Sequence, residues 1–392
     1  MSEQRWERDG ITVVELRGTP EQIGEAHGRL LADEVRRACV ELVHERVLPG
    51  LAHELFGNDE RVIAGFADWC RDKARRFVEQ IDDRYRAEIR ALAHAADLDE
   101  EQLLLTQVLL DVLEQAGLVH SDRHFHACTQ LALLPGRTAG KTLVGRNLDW
   151  PPFGMAHELG VLFHYLPADG LPFWALGWAG TVGTLTAVNH ERLCVTEESL
   201  TETEDVSDQG VPTFLLHRDL VQQESTVQGA VDRLRSAART NGYHTLIASG
   251  READARVVEH SASESAVRPP RDDIAWGVDL DCRPALYKGG QMPPPGVPLT
   301  DETSDFRYGR LKALLSDHSG PIGPDDLQGW LDDRIDIATD RPDTGLHCLA
   351  NETTLQSLVA DLTACELHVA MGHIPAPAGG FVRFTLDETG AG

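Results

Sequence analysis

The sequence is short of positive charge: 36 lysines and arginines stand against 63 aspartates and glutamates, a formal net charge of -27. That balance opposes binding to nucleic acid and to anionic membranes, where affinity comes from neutralising phosphates. No stretch approaches the roughly 18 uninterrupted apolar residues of a membrane span, and Met1 to Gly10 are polar and charged, unlike the apolar core of a secretory leader. The expectation is a cytoplasmic protein with no nucleic-acid or membrane partner. Cysteine is sparse as well. The seven, at 39, 70, 128, 194, 282, 348 and 365, show neither CxxC spacing nor a disulfide framework. Reduced thiols follow, and no metal or other cofactor is implied. No internal repeat divides the 392 residues, a length that buries a large core and reads as one globular unit.

What is present falls into two textures. Ile11 to Leu16 is a short β-prone run, after which Thr19, Pro20 and Gln22 form a capping box with proline at the first helical position. Apolar residues at helical spacing then run from Ile23 to Cys39, and amphipathic stretches occupy 60–80, 84–96 and 99–115. After Arg123 short β runs take over, at 128–135, 141–149, 158–166, 172–178, 181–188 and 192–197. Helical patterns return at 210–240, strands at 243–260, helices at 304–316 and 324–334, and strands close the chain after 346. The Pro-rich piece 292–298 reads as a loop. Hairpins alternating with helices predict an α+β fold of two stacked, mainly antiparallel sheets between helical layers.

One constellation carries chemistry. Two β-prone runs, Cys128 to Leu134 and Thr142 to Trp150, flank a Pro-Gly turn, which is a hairpin signal. Folding the hairpin closed brings Arg146 and Asp149 near Cys128, while a one-residue slip of register would turn these side chains to the other face. A thiol is a nucleophile only as thiolate, so a neighbouring cation to stabilise the anion and an acceptor to orient the reacting groups are what such a cysteine needs. A small buried cysteine beside a solvated Arg-Asp pair is the plain alternative.

Several segments, in order, carry a resemblance: Arg17 to Gly28 around Gly-Thr-Pro, Cys128-Thr129, Gly145 to Trp150, Gly180-Thr181-Val182-Gly183 with Asn189, then Ala255 to Glu259, Asp305 to Leu311 and Thr353 to Leu386. Together they resemble the acyl-coenzyme A:6-aminopenicillanic acid acyltransferase family of N-terminal nucleophile hydrolases, and more distantly the bile-salt and penicillin V acylases. The resemblance implies a four-layer αββα sandwich. It also implies a precursor that cuts itself between Ala127 and Cys128, leaving 1–127 as an α chain and 128–392 as a catalytic β chain in an α/β heterodimer of its own fragments, with homo-oligomers possible. Cys128 would then be nucleophile and, through its new α-amine, base. Arg146 would steady the thiolate, Asp149 would hold the amine or substrate amide, and Asn189 would donate to the oxyanion. Thr129, Trp150, Trp178 and Glu198 would line the site for a small-molecule amide or acyl-coenzyme A-like substrate. Two departures mark this chain. Ala127 stands where glycine is frequent, and Trp276 to Cys282 replaces a Thr-Asn-His-Phe-like segment, leaving Asp279 or Asp281 in place of a second asparagine. Glu197-Glu198 likewise stands where relatives tend to carry asparagine.

Rival readings remain from the residues themselves. His120, His124 and His126 could hold zinc if a third ligand converged. A Cys-His dyad using His244, His347 or His373 would need no self-cleavage. Phe173, Trp174 and Trp178 suit a core or an acyl pocket equally. A catalytically inactive binding relative would keep the fold alone.

Overall fold

The computed structural model describes residues 3–116, 128–199, 205–277 and 303–388. Its strands are β1 (Gln4–Arg8), β2 (Ile11–Gly18), β3 (Thr129–Leu133), β4 (Leu143–Asp149), β5 (Gly160–Pro167), β6 (Phe173–Trp178), β7 (Thr186–Asn189), β8 (Leu193–Ser199), β9 (Tyr243–Ser249), β10 (Asp254–His260), β11 (Ser265–Arg268), β12 (Ile274–Trp276), β13 (Ile335–Asp336), β14 (Arg341–Pro342), β15 (Thr354–Asp361), β16 (Glu366–Met371) and β17 (Val382–Thr385). The helices are α1 (Pro20–Leu30), α2 (Ala32–Arg36), α3 (Leu48–Phe56), α4 (Glu60–Phe77), α5 (Asp83–Ala95), α6 (Glu100–Gln107), α7 (Leu109–Gln115), α8 (Thr213–Gln223), α9 (Val227–Ser236), α10 (Thr303–Asp317) and α11 (Pro324–Leu331). Between α2 and α3 the turn widens into a π-helix over Arg37–Val47.

The strands form one nine-stranded sheet, in the order β1-β2-β5-β6-β7-β8-β9-β10-β11, and one six-stranded sheet, β12-β3-β4-β15-β16-β17. β2 and β5 run parallel, and the other neighbours in both sheets are antiparallel. Side chains alternate faces along a strand, so each sheet buries two sets of residues. Val13, Leu162, Trp174 and Leu246 of the larger sheet meet Ala132, Val144, Leu358 and Val369 of the smaller in one apolar cluster. The opposite face of the larger sheet, with Val14, Phe163 and Val195, packs on Ile23, Leu92, Leu105 and Leu215 of the helices. The opposite face of the smaller sheet, with Leu131, Leu143 and Val359, is covered by Leu311, Leu327 and Trp330 of α10 and α11. The arrangement is the four-layer αββα sandwich expected from the sequence.

The Thr19 capping box forms as read, with reciprocal bonds between Thr19 and Gln22. The stretch 1–10 hides a strand: β1 pairs with β2 along its whole length. Its alternating partly buried and exposed pattern lacks the apolar run by which a strand is recognised. The run 181–188 is mostly loop, with β7 beginning only at Thr186. Because β1 and β2 belong to the same sheet as strands downstream of Cys128, 3–116 and 128–388 share one fold rather than forming two bodies. Ala127, the histidines at 120, 124 and 126, Asp279, Asp281, Cys282 and the 292–298 loop lie outside the described residues. No described helix is long and apolar enough to cross a membrane.

Candidate active site

The β3-β4 hairpin closes with Cys128 and Arg146 close together. Gln130 pairs with Arg146 and Thr129 with Asn147 across β3 and β4, so Cys128 stands just ahead of the pairing, near Leu148. Gly145 faces α11 on the other side of the sheet, where a Cβ would lie 3.0 Å from the side chain of Leu327. The Arg146 guanidinium is buried. Its Nη2 approaches the Cys128 Sγ at 3.7 Å and donates to Glu197 Oε1 at 2.9 Å, and its Nη1 donates to the Leu185 carbonyl and the Thr186 hydroxyl. Asp149 is buried too, accepting from Asn351 Nδ2 at 2.9 Å and from Thr354 Oγ1 at 2.7 Å.

Cys128 borders two cavities. One, of about 90 Å³, is walled by Leu110, Leu148, Leu185, Phe214, Trp150 and Trp178, and also reaches Asp149 and Glu197. The other, of about 20 Å³, is lined by Thr129, Gln130, Glu198, Trp276, Arg307 and Tyr308. Adjacent residues of a strand point oppositely, so Glu197 meets Arg146 while Glu198 reaches the smaller space. Gly277 is required there, since a Cβ would come within 2.2 Å of Gln130 Cγ and 2.7 Å of Glu198 Oε2. Trp150 and Trp178 line the larger cavity, and Thr129 and Glu198 line the smaller. Phe173 and Trp174 are core residues in two different clusters.

Burial dominates the titration of this centre. It pushes the Cys128 thiol up to about 12, against the pull of Arg146 and with the push of Glu197 and Asp149. It raises Asp149 to about 6 despite Arg307 and the Thr354 and Asn351 bonds. Glu198 goes to about 8, burial outweighing Arg307. Glu197 and Glu114 are raised by burial as well, Glu114 further by Asp111 and Glu197. Carboxyls crowded around one guanidinium cannot all ionise cheaply.

Asn189 is a correction. Its Nδ2 donates to the Val221 and Glu224 carbonyls at 2.9 and 2.8 Å, and its Oδ1 accepts the Glu191 and Leu193 amides at 3.0 Å. Both amide protons are used, leaving none for an oxyanion. It also sits at the far end of β7 from Thr186, roughly 10 Å along the strand, and borders neither cavity. Asn189 ties the β7-β8 turn to α8.

Arg307 of α10 lies in the Asp305 to Leu311 segment, where nothing in the sequence gives it a role. It is buried, with Nη2 donating to the Cys128 carbonyl at 3.2 Å, Nε to Thr129 Oγ1 at 3.1 Å and Nη1 to the Leu346 carbonyl at 3.1 Å. It therefore holds the backbone of Cys128 and the side chain of Thr129. Upstream residues also build the site. Gln107 donates to the Gly180 carbonyl at 2.7 Å and accepts the Val182 amide at 2.7 Å, while the Gly180 amide donates to His27 Nε2 at 3.0 Å. Burial, then Arg218, lowers His27 to about 3, which keeps that nitrogen an acceptor. Gly180 has φ +87°, so glycine suits this turn. Among the described residues no histidine borders either cavity, and no group of three His, Cys, Asp or Glu is arranged to hold a metal ion.

An uncharacterized protein of Archaeoglobus fulgidus is 24% identical over 351 residues, 80% of this chain and 56% of its own length. The chain spans 50 to 58% of the length of the curated relatives it matches. Among solved structures, the Caenorhabditis elegans ortholog of N-acylethanolamine-hydrolyzing acid amidase is 14% identical with a TM-score of 0.42, covering 60% of this chain and 93% of its own. Penicillin V acylase from Agrobacterium tumefaciens is 14% identical with a TM-score of 0.40, covering 62% and 83%. Residues 137–275 match the family model described as acyl-coenzyme A:6-aminopenicillanic acid acyl-transferase. The match begins after Cys128 and takes in Arg146, Asp149 and Glu197. Over those residues, from the turn before β4 into β12, this chain is similar to that family.

Proposed function

We propose that this chain is the precursor of a cysteine amidase or acyltransferase that is activated by cleavage between Ala127 and Cys128. The observation that carries the reading is the Cys128 thiol, held 3.7 Å from a buried arginine on a wall shared by two cavities. In the cleavage step the thiol sulfur attacks the Ala127 carbonyl carbon. The peptide nitrogen leaves with the thiol proton, and water hydrolyses the resulting thioester, giving a carboxylate on Ala127 and a free amine on Cys128. That amine has an ordinary pKa near 7.7 to 8.0 and can take the thiol proton near neutral pH.

In turnover the thiolate adds to the carbonyl of a small-molecule amide, thioester or ester. The amine or other leaving group departs with the proton held on the Cys128 amine, and an acyl-thioester remains on Cys128. Water or an amine then takes the acyl group and regenerates the thiol. Arg146 opposes the negative charge developing on sulfur, and Arg307 holds the nucleophile's carbonyl so that the new N-terminus stays in register. Asp149, on the wall of the larger cavity with Cys128, orients the new amine or the substrate amide. Asn189 has no part in this scheme.

The test is an intact mass of the purified protein beside its Cys128→Ala variant. Two fragments meeting at Ala127 and Cys128 in the parent, and one chain in the variant, are expected. A single chain in both, with turnover retained by the variant, would remove Cys128 from the chemistry and leave a binding relative or another hydrolase.

A further inference from the structure

We infer that the acyl group this site accepts is an uncharged, nonpolar chain of several carbons, and that residues upstream of Cys128 select it. The inference rests on the cysteine acyl-transfer reading. The larger cavity is apolar on nearly every side. Around the thiol, Leu110, Leu148, Leu185 and Phe214 pack into one cluster with Trp150 and Trp178. Beyond them the wall is made by Leu42, Val43, Val47 and Leu109, together with Ala38. These residues come from the π-helix Arg37–Val47 and from α7, both before Cys128 in the chain.

The π-helix matters to this wall. Its i to i+5 bonding widens each turn, and such segments are rare and concentrate at functional sites. The row formed by Ala38, Val43 and Val47 suits that wider spacing, and Leu42 joins it on the cavity side. The carboxyls in the lining, Asp149 and Glu197, are buried acidic groups, and crowding a further carboxyl against them disfavours an acyl chain that ends in a carboxylate. A nonpolar chain meets no such opposition and gains from leaving water. The upstream segment also stays with the fold after cleavage, because β1 and β2 are part of the nine-stranded sheet. It is then a lasting half of the acyl site rather than a detachable leader.

The test uses p-nitrophenyl esters of acetate, butyrate and octanoate on the full protein after self-cleavage, each rate divided by that ester's rate with free cysteine. Burying each added methylene is worth up to about fourfold in kcat/KM, so octanoyl should exceed acetyl by about 50-fold or more. Leu42 is only partly buried, so Leu42→Gln should fold, as circular dichroism would verify, and should cut the octanoyl-to-acetyl ratio by about tenfold. A flat series in the parent, or an unchanged ratio in the folded variant, overturns the inference. Octanoyl turnover that persists in Cys128→Ala overturns instead the acyl-transfer reading on which it rests. A flat series that still requires Cys128 overturns the acyl selectivity alone.

Discussion

In chains that have not yet been cleaved, Cys128 should be a slow thiol despite its place at the centre of the site. Burial lifts it from an ordinary 9.0 to about 12. At pH 7 the thiolate fraction then falls from about one in a hundred to about one in a hundred thousand, a thousandfold loss of the reactive species. A more basic thiolate is also intrinsically more nucleophilic, with a Brønsted slope of about 0.4 to 0.5, which returns roughly 15- to 30-fold over three units. The net expectation is alkylation about 30- to 60-fold slower than in the unfolded chain, before any steric shielding. The assay is timed iodoacetamide labelling at pH 7 with site-resolved mass spectrometry. Uncleaved and cleaved molecules are separated by intact mass, and a denatured sample serves as reference. Partly buried Cys365 provides an internal comparison. Labelling of uncleaved Cys128 within about threefold of its denatured rate would refute the reasoning, since no thiol shifted so far could react so readily. Cleaved molecules should label faster at Cys128, their own amine now being beside it.

Other consequences follow from the same geometry. Arg146→Leu should abolish self-cleavage and destabilise the fold by about 3 to 5 kcal/mol, because Glu197 is left as an uncompensated buried charge; urea unfolding measures this. Asn189→Ala should lower stability by about 2 to 4 kcal/mol through four lost hydrogen bonds while kcat/KM is retained in the folded fraction; a collapse of kcat/KM would contradict its structural role. Asp149 sets a pH dependence. Its folded pKa of about 6 exceeds the ordinary 3.8, so the folded state binds the extra proton and stability falls as pH rises between those values, by about 3 kcal/mol. Asp149→Asn should flatten that part of the curve, and an unchanged slope from pH 4 to 6 would count against the shift. Arg307→Ala should slow both self-cleavage and turnover through kcat rather than KM, and Arg307→Lys should recover little because the three bonds come from a planar fork.

The sequence by itself determined several features that depend on neighbours along the chain, though not β1 or the loop before β7. The Thr19 cap and the Pro-Gly hairpin follow from local rules, and the hairpin brings Arg146 toward Cys128 without fixing the register that sets which face it occupies. Layer order followed from the change of texture after Arg123, because helical and strand periodicities are both readable in a window of a dozen residues. Tertiary structure decided the rest. Which end of β7 faces the thiol is a matter of sheet order, so Asn189 and Thr186, three residues apart, have unrelated roles. Glu197 and Arg307 are 51 and 161 residues beyond Arg146, and no spacing rule connects them to it. Only the stacking of two sheets and the docking of α10 bring those charges to one place. The high thiol pKa is likewise invisible in residue identities, because it comes from excluded water, and exclusion is a property of the packed whole.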